Sequence, residues 1–90
     1  MKYVRVVWTH SFPDEPICLF SELDRARLEV RKIEVFRDGR RGWAGGGESS
    51  GGTELGEVPF PSLEEIASDS QFQPGEIDAD EFEAEWRKRR

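Results

Sequence analysis

The chain has 90 residues, a formal net charge of −6 and a single cysteine, which describes one small acidic domain spanning 1–90. Because Cys18 has no second cysteine to pair with, an intramolecular disulfide framework is excluded. No apolar run approaches the ~20 residues of a membrane span, and the first ten residues lack the apolar region of a signal peptide. We therefore expect a cytoplasmic protein without membrane contact.

The charges are distributed unevenly along the chain. Residues 1–45 carry 9 Lys/Arg and 7 Asp/Glu, whereas residues 46–90 carry 4 and 12. Between Gly46 and Trp86 there are 12 acids and no base, and the last four residues are all basic. An acidic surface repels nucleic acid and attracts basic partners, although it also keeps a small domain in solution.

The first half of the chain predicts a β-meander. Alternating apolar residues indicate strands over 2–10 and 17–23, separated by a proline-containing loop. The stretch 27–37, rich in β-branched and aromatic residues, predicts the central strand. Its apolar alternation changes phase at Arg31-Lys32, so the strand either has a β-bulge there, which we prefer, or changes its apolar face.

Asp38-Gly39 is a strong hairpin signal. We expect a two-residue type I′ turn, because Asp and Gly tolerate the positive φ that both central positions need. A return strand over 40–44 should then place Trp43 beside Val35 or Ile33 on the apolar face.

The glycine-rich segment 45–52 predicts a flexible loop, since it has five glycines and no apolar residue. Its spacing does not match a phosphate-binding motif. A short edge strand is expected over 53–58, ended by Pro59.

Two helix-start signals follow. Ser62 and Glu65 form a capping box before a short helix over 63–68. Asp78 caps a second helix that reaches about Lys88, and a loop over 71–75 separates the two. The predicted fold is α+β: an antiparallel sheet of four or five strands, arranged as a meander, with two short C-terminal helices packed on one face.

The chain resembles a family of small uncharacterised bacterial proteins. The resemblance rests on three motifs, W-x-H-x-F-x-D-E-P, S-E-L-D-x-x-R-x-E-x-R-K-x-E-x-F-x-D-G and G-G-T-x-L-G-E-x-P. In this chain they comprise Trp8, His10, Phe12, Asp14, Glu15 and Pro16; Ser21–Asp24, Arg27, Glu29, Arg31, Lys32, Glu34, Phe36, Asp38 and Gly39; and Gly51–Thr53, Leu55–Glu57 and Pro59. The resemblance implies no established activity.

The loop between the first two strands carries His10, Asp14 and Glu15. A histidine beside two carboxylates has the chemistry of an acid–base pair. A zinc site would need three or four ligands, and the chain has no other histidine. We therefore expect a structural or partner-binding loop, with no catalytic or metal-binding residue and no cofactor.

Charged residues of opposite sign alternate on and around the central strand. Asp24, Arg27 and Arg31 are candidates for contact with a charged protein surface, whereas cross-strand ion pairs would explain the same pattern without a partner. Cys18 lies at a strand position where burial disfavours a reactive thiolate.

These observations favour a non-enzymatic protein-interaction module that binds a basic protein partner. An immunity-type role, in which the protein neutralises a toxin, is one concrete form of this hypothesis. The alternative is a small enzyme that uses His10 with Asp14 or Glu15 as its acid–base group. We expect no nucleic-acid partner, and a monomer or a weak homodimer.

Overall fold

The computed structural model describes all residues from Met1 to Arg90 and shows an α+β fold with one six-stranded antiparallel sheet. The elements are β1 (Lys2–Trp8), β2 (Cys18–Leu23), β3 (Glu29–Val35), β4 (Arg41–Gly45), β5 (Glu48–Ser50), α1 (Leu63–Ala67), β6 (Phe72–Ile77) and α2 (Ala79–Arg87). The strand order is β5-β4-β3-β2-β1-β6. The first five strands therefore form the expected meander, and β6 returns to the free edge of β1.

The prediction of four or five strands is wrong, because the segment that forms β6 does not have the sequence pattern of a strand. The segment 71–75 reads as a loop, since Pro74 and Gly75 disfavour a strand interior. The segment is tolerated here because β6 is an edge strand, paired only with β1, from Tyr3–Ile77 to Trp8–Phe72. Conversely, no strand forms over 53–58, and that segment crosses the sheet as an irregular loop.

The glycine-rich segment contains β5, which pairs with the end of β4. Gly46 and Gly47 connect the two strands with φ of 65° and 82°. A two-residue hairpin turn with two positive φ values is the type I′ geometry that the sequence predicted elsewhere. Mobility of the segment stays a prediction: with only three paired residues in β5, its amides should exchange faster than those of β3.

The turn at Asp38-Gly39 joins β3 to β4 as predicted, but with a different geometry. The Gly39 amide donates to the Phe36 carbonyl, and the Phe36 amide donates to the Arg40 carbonyl, each at 2.9 Å. The loop therefore has three residues instead of two, and only Gly39, with φ of 89°, has a positive value. Three-residue hairpins commonly place one glycine in this left-handed position.

Gly39→Val should lower the free energy of unfolding by about 1–2 kcal/mol, because a β-branched residue resists a positive φ. No atom lies within 4 Å of the position that a Cβ would occupy, so the cost is conformational and not steric. Urea denaturation is the measurement, and Gly75→Ala, which also meets no atom within 4 Å and has no positive φ, is the control.

The predicted bulge exists in β3, but one residue earlier than expected. Glu22 pairs with Arg31 and Leu23 pairs with Glu29, so Val30 is the extra residue. Beyond the bulge, Ile33 and Val35 face one cluster of the core, in which Ile33 pairs with Trp43 as predicted.

The two helices lie on opposite faces of the sheet, so the expectation that both pack on one face is wrong. Alternate β1 residues separate the faces: Val4 and Val6 point to α1, whereas Tyr3 points to α2. The α2 face buries Phe20, Ile33, Ile77 and Phe82, and the α1 face buries Val4, Val6 and Leu23. A helix on each face explains why β1 and β2 are apolar on both sides.

Both predicted helix starts are confirmed. The Ser62 hydroxyl accepts from the Glu65 amide at 3.1 Å, and the Asp78 carboxylate accepts from the Glu81 amide at 2.8 Å. Each bond satisfies an amide that has no partner within the helix. Neither helix is long and apolar enough to cross a membrane.

Candidate protein-binding surface

His10 is held rigidly at the end of β1 by two hydrogen bonds. The Phe12 amide donates to Nδ1 at 2.9 Å, so Nδ1 accepts and Nε2 carries the hydrogen. Nε2 then donates to the Pro16 carbonyl at 2.8 Å. Both ring nitrogens are therefore engaged by the backbone of the loop that His10 belongs to, and the imidazole fixes the conformation of this loop.

The same loop presents aromatic rings next to acids. The Trp8 ring lies 4.2 Å from His10, 5.5 Å from Phe72 and 6.3 Å from Phe12, between ring centroids. A cleft of about 370 Å³, which we call the Trp8 pocket, is lined by Trp8, Phe12, Pro13, Asp14 and Glu15. The structure thus brings three predicted site residues together: His10 shapes the loop, and Asp14 and Glu15 line the pocket.

Arg31, by contrast, lies on the α2 face and makes contacts that stabilise the fold. It donates to Glu22 at 2.6 and 3.1 Å, and to Glu83 of α2. Its guanidinium also lies 4.9 Å from the centre of the Phe82 ring and 5.1 Å from that of Trp86. The cross-strand pair with Glu22 is the structural alternative that the sequence left open. The hydrogen bonds to Glu83 and Glu22 raise the pKa of Arg31, which keeps it charged.

The hydrogen bond from Arg31 lowers the pKa of Glu83 below its ordinary value. A carboxyl with a lower pKa in the folded state stabilises the fold above its unfolded pKa of ~4.3, and this stabilisation is lost as the pH falls through the folded value. We therefore expect the urea midpoint to drop between about pH 5 and 3. The drop should be smaller in Glu83→Gln, and an identical pH profile in that variant would contradict this role.

Asp24 and Arg27 lie at the opposite end of the β1–β2 hairpin from His10. Asp24 accepts from the Ala26 and Leu28 amides and so closes the turn before β3. Arg27 donates to the Phe60 and Pro61 carbonyls at 3.0 and 2.8 Å. The six candidate residues therefore do not form one surface, and Asp24, Arg27 and Arg31 are already engaged by internal contacts.

A buried polar network on the α1 face was not predicted from the sequence. The Glu29 carboxylate accepts from the Ser21 hydroxyl at 3.0 Å and from the Gly56 amide at 2.6 Å. Thr53, which is fully buried, donates to Glu34 at 2.6 Å. Together with Arg27, these bonds hold the irregular segment 53–61 across β2, β3 and β4. The sequence could have identified this network only if the pairing of Thr53 with Glu34, 19 positions apart, and of Gly56 with Glu29, 27 positions apart, had been known.

An open apolar groove lies beside that segment, between α1 and the sheet. Its volume is about 390 Å³, and we call it the α1 groove. It is lined by Val6, Leu19, Pro61, Ile66 and Phe72, with the carboxylates Glu65 and Asp69 among them. Phe72 of the groove stacks on Trp8 of the Trp8 pocket, so the two clefts are neighbours. The residues come from four separate parts of the chain, which is why no sequence pattern revealed the groove.

Ion pairs within the fold account for only part of the charge. Six of the 19 acids and seven of the 13 bases form ion pairs, leaving 13 acids and six bases without one. Glu65, Asp69, Asp14 and Glu15 are all among the unpaired acids. The negative field of the protein therefore arises from free carboxylates, four of which lie along the α1 groove and the Trp8 pocket.

The thiol of Cys18 is partly buried on β2. Burial raises the pKa of the Cys18 thiol, which disfavours the nucleophilic thiolate. No group of three or more His, Cys, Asp or Glu side chains is arranged to hold a metal ion.

The fold and the surface define a class: a small α+β protein whose single sheet carries one helix on each face and an apolar groove with acidic residues at its margin. A family model described as a domain of unknown function (DUF6881) matches residues 2–90, and the chain belongs to this family. No curated protein and no solved structure matches the chain.

Proposed function

We propose that this protein is a non-enzymatic interaction module that binds a basic protein partner through the α1 groove. The observation that carries the proposal is the position of Glu65 and Asp69, two exposed carboxylates without ion pairs, on an open apolar cleft. Apolar area at the centre with charge at the margin is the usual composition of a transient protein interface. The occupant is a segment with an apolar anchor flanked by lysine or arginine.

The rest of the surface supports a protein partner over nucleic acid. Thirteen unpaired acids against six unpaired bases repel phosphates, whereas they steer a basic protein toward the groove. Neutralisation of a basic toxin, as an immunity-type protein, is a concrete form of this proposal that the small size and the acidity support. The engaged ring nitrogens of His10 favour this binding role over the alternative of an acid–base enzyme.

The test is capture of a partner from native cell extract, with and without nuclease, at low and at ~0.5 M salt. The captured protein is then purified, and its association rate is measured against two double variants. Glu65→Gln with Asp69→Asn neutralises the groove. Asp80→Asn with Glu81→Gln makes the same change in net charge on exposed residues of α2.

We expect a basic partner whose association rate falls as salt is added. The rate should fall about tenfold further in the variant that neutralises Glu65 and Asp69, and not in the control variant on α2. A captured nucleic acid, an association rate that ignores salt, or equal slowing in both variants would contradict it. Recovery of no partner, together with an enzymatic turnover that His10→Ala abolishes, would favour the acid–base enzyme instead.

A further inference from the structure

We propose that the Trp8 pocket binds the guanidinium group of an arginine side chain. The inference rests on the proposed function, since this arginine would belong to the basic partner that occupies the adjoining α1 groove. It deepens that function by naming one residue type of the partner and the atoms of this chain that recognise it.

The walls of the pocket have the geometry for a flat cation. The Trp8 and Phe12 rings are inclined at 56° with centroids 6.3 Å apart, and Phe12 is 56% exposed. An aromatic face attracts a cation that lies within about 6 Å of its centre. The walls are restrained by internal contacts: the Trp8 indole donates to Gln71, and the Phe12 ring stacks on His10 at 5.4 Å between centroids.

The pocket also supplies negative charge that the fold does not use. Asp14 and Glu15 are exposed, line the pocket and form no ion pair. The nearby Arg37 donates to the His10 carbonyl and lines a different cleft. A guanidinium on Trp8 or Phe12 would therefore meet carboxylates that are free to accept its N–H groups, without displacing an internal contact.

The same combination of aromatic rings and carboxylates holds arginine elsewhere in this chain. Arg31 stacks on Phe82 and Trp86 while it donates to two glutamates. Arg89 stacks on Trp86 at 4.2 Å and pairs with Glu48. No arginine of this chain stacks on Trp8 or Phe12. Lysine fits less well, because its ammonium is a point charge that neither stacks nor forms paired hydrogen bonds.

The probe is N-acetyl-argininamide, added to ¹⁵N-labelled protein at low salt. The three tryptophans give three indole N–H resonances, so Trp43 and Trp86 serve as internal controls. We expect the Trp8 indole to shift and to saturate with a dissociation constant on the order of millimolar. N-acetyl-citrullinamide, which has nearly the same shape and no charge, should cause no comparable shift, and the lysine analogue should bind more weakly.

Asp14→Asn with Glu15→Gln should weaken the arginine titration about tenfold, because the charge-assisted hydrogen bonds are lost. The matched control, Asp80→Asn with Glu81→Gln, should leave it unchanged. Equal shifts at all three indoles, equal binding of the citrulline analogue, or an unaffected pocket variant would overturn the inference.

The two proposals fail separately. If a basic partner is captured and the groove variant slows its association, but the arginine titration fails, then only the assignment of the Trp8 pocket is wrong. If the Trp8 indole titrates with arginine and no basic partner exists, the pocket is an arginine site and the proposed function is wrong.

Discussion

Arg31→Ala should lower the free energy of unfolding by about 3–5 kcal/mol, because it leaves the buried Glu22 carboxylate without a partner. The side chains of Arg31 and Glu22 are only 19% and 8% exposed. The same change removes the contact to Glu83 and the stacking on Phe82, so α2 also loses an anchor. Chemical denaturation monitored by circular dichroism measures the loss.

Two controls separate the burial of charge from the loss of an ion pair. Lys2→Ala removes a pair with Glu76 in which both side chains are about 60% exposed, and should cost less than ~1 kcal/mol. Arg31→Met with Glu22→Gln removes both buried charges and should recover part of the stability. A single Arg31→Ala variant as stable as Lys2→Ala would show that Glu22 is solvated in the folded protein.

Phe82→Ala should cost about 3–5 kcal/mol, since the ring is fully buried at the centre of the α2 face. Trp86, one turn later, is only partly buried, so Trp86→Ala should cost less than the ~3–5 kcal/mol expected of a fully buried ring. The order of the two denaturation midpoints is therefore a prediction of the structure, with Phe82→Ala the lower.

Phe12→Ala is the matched control, because the same substitution at an exposed ring should change the midpoint little. If Phe82→Ala and Phe12→Ala were equally stable, α2 would not be docked on the sheet as the structure shows. If Trp86→Ala were the less stable of the two helix variants, the Arg89 and Arg31 stacking on that ring would contribute more than its burial.

The elements that could be predicted from the sequence are those determined by residues close together in the chain. The caps at Ser62 and Asp78 depend on residues three positions apart, and the hairpin at Gly39 depends on one glycine. The missed strand, β6, depends on its position in the sheet: Pro74 is acceptable only because no strand pairs on its outer side. The hydrophobic periodicity of a segment does not show whether it will lie at the edge of the sheet, so the sequence could not predict this strand.

The candidate surface likewise has one part that could be predicted from neighbouring residues and one part that depends on the whole fold. His10, Asp14 and Glu15 could be predicted as neighbours because one short loop carries all three. The α1 groove could not, because Leu19 of β2 and Ile66 of α1 meet only after the segment 53–61 has been fixed across the sheet. The side chain of Arg27 makes that connection through backbone carbonyls, which leave no sequence pattern.

The pairing of β1 with β6 joins residues that lie far apart along the chain, since Tyr3 pairs with Ile77, 74 positions later. At a synthesis rate of roughly 5–20 residues/s, β1 leaves the ribosome several seconds before its second partner strand does. During that interval the outer edge of β1 has unpaired amides and carbonyls next to exposed valines. Such an edge can pair with the same edge of another nascent chain, so the yield of folded protein should depend on how quickly translation delivers β6.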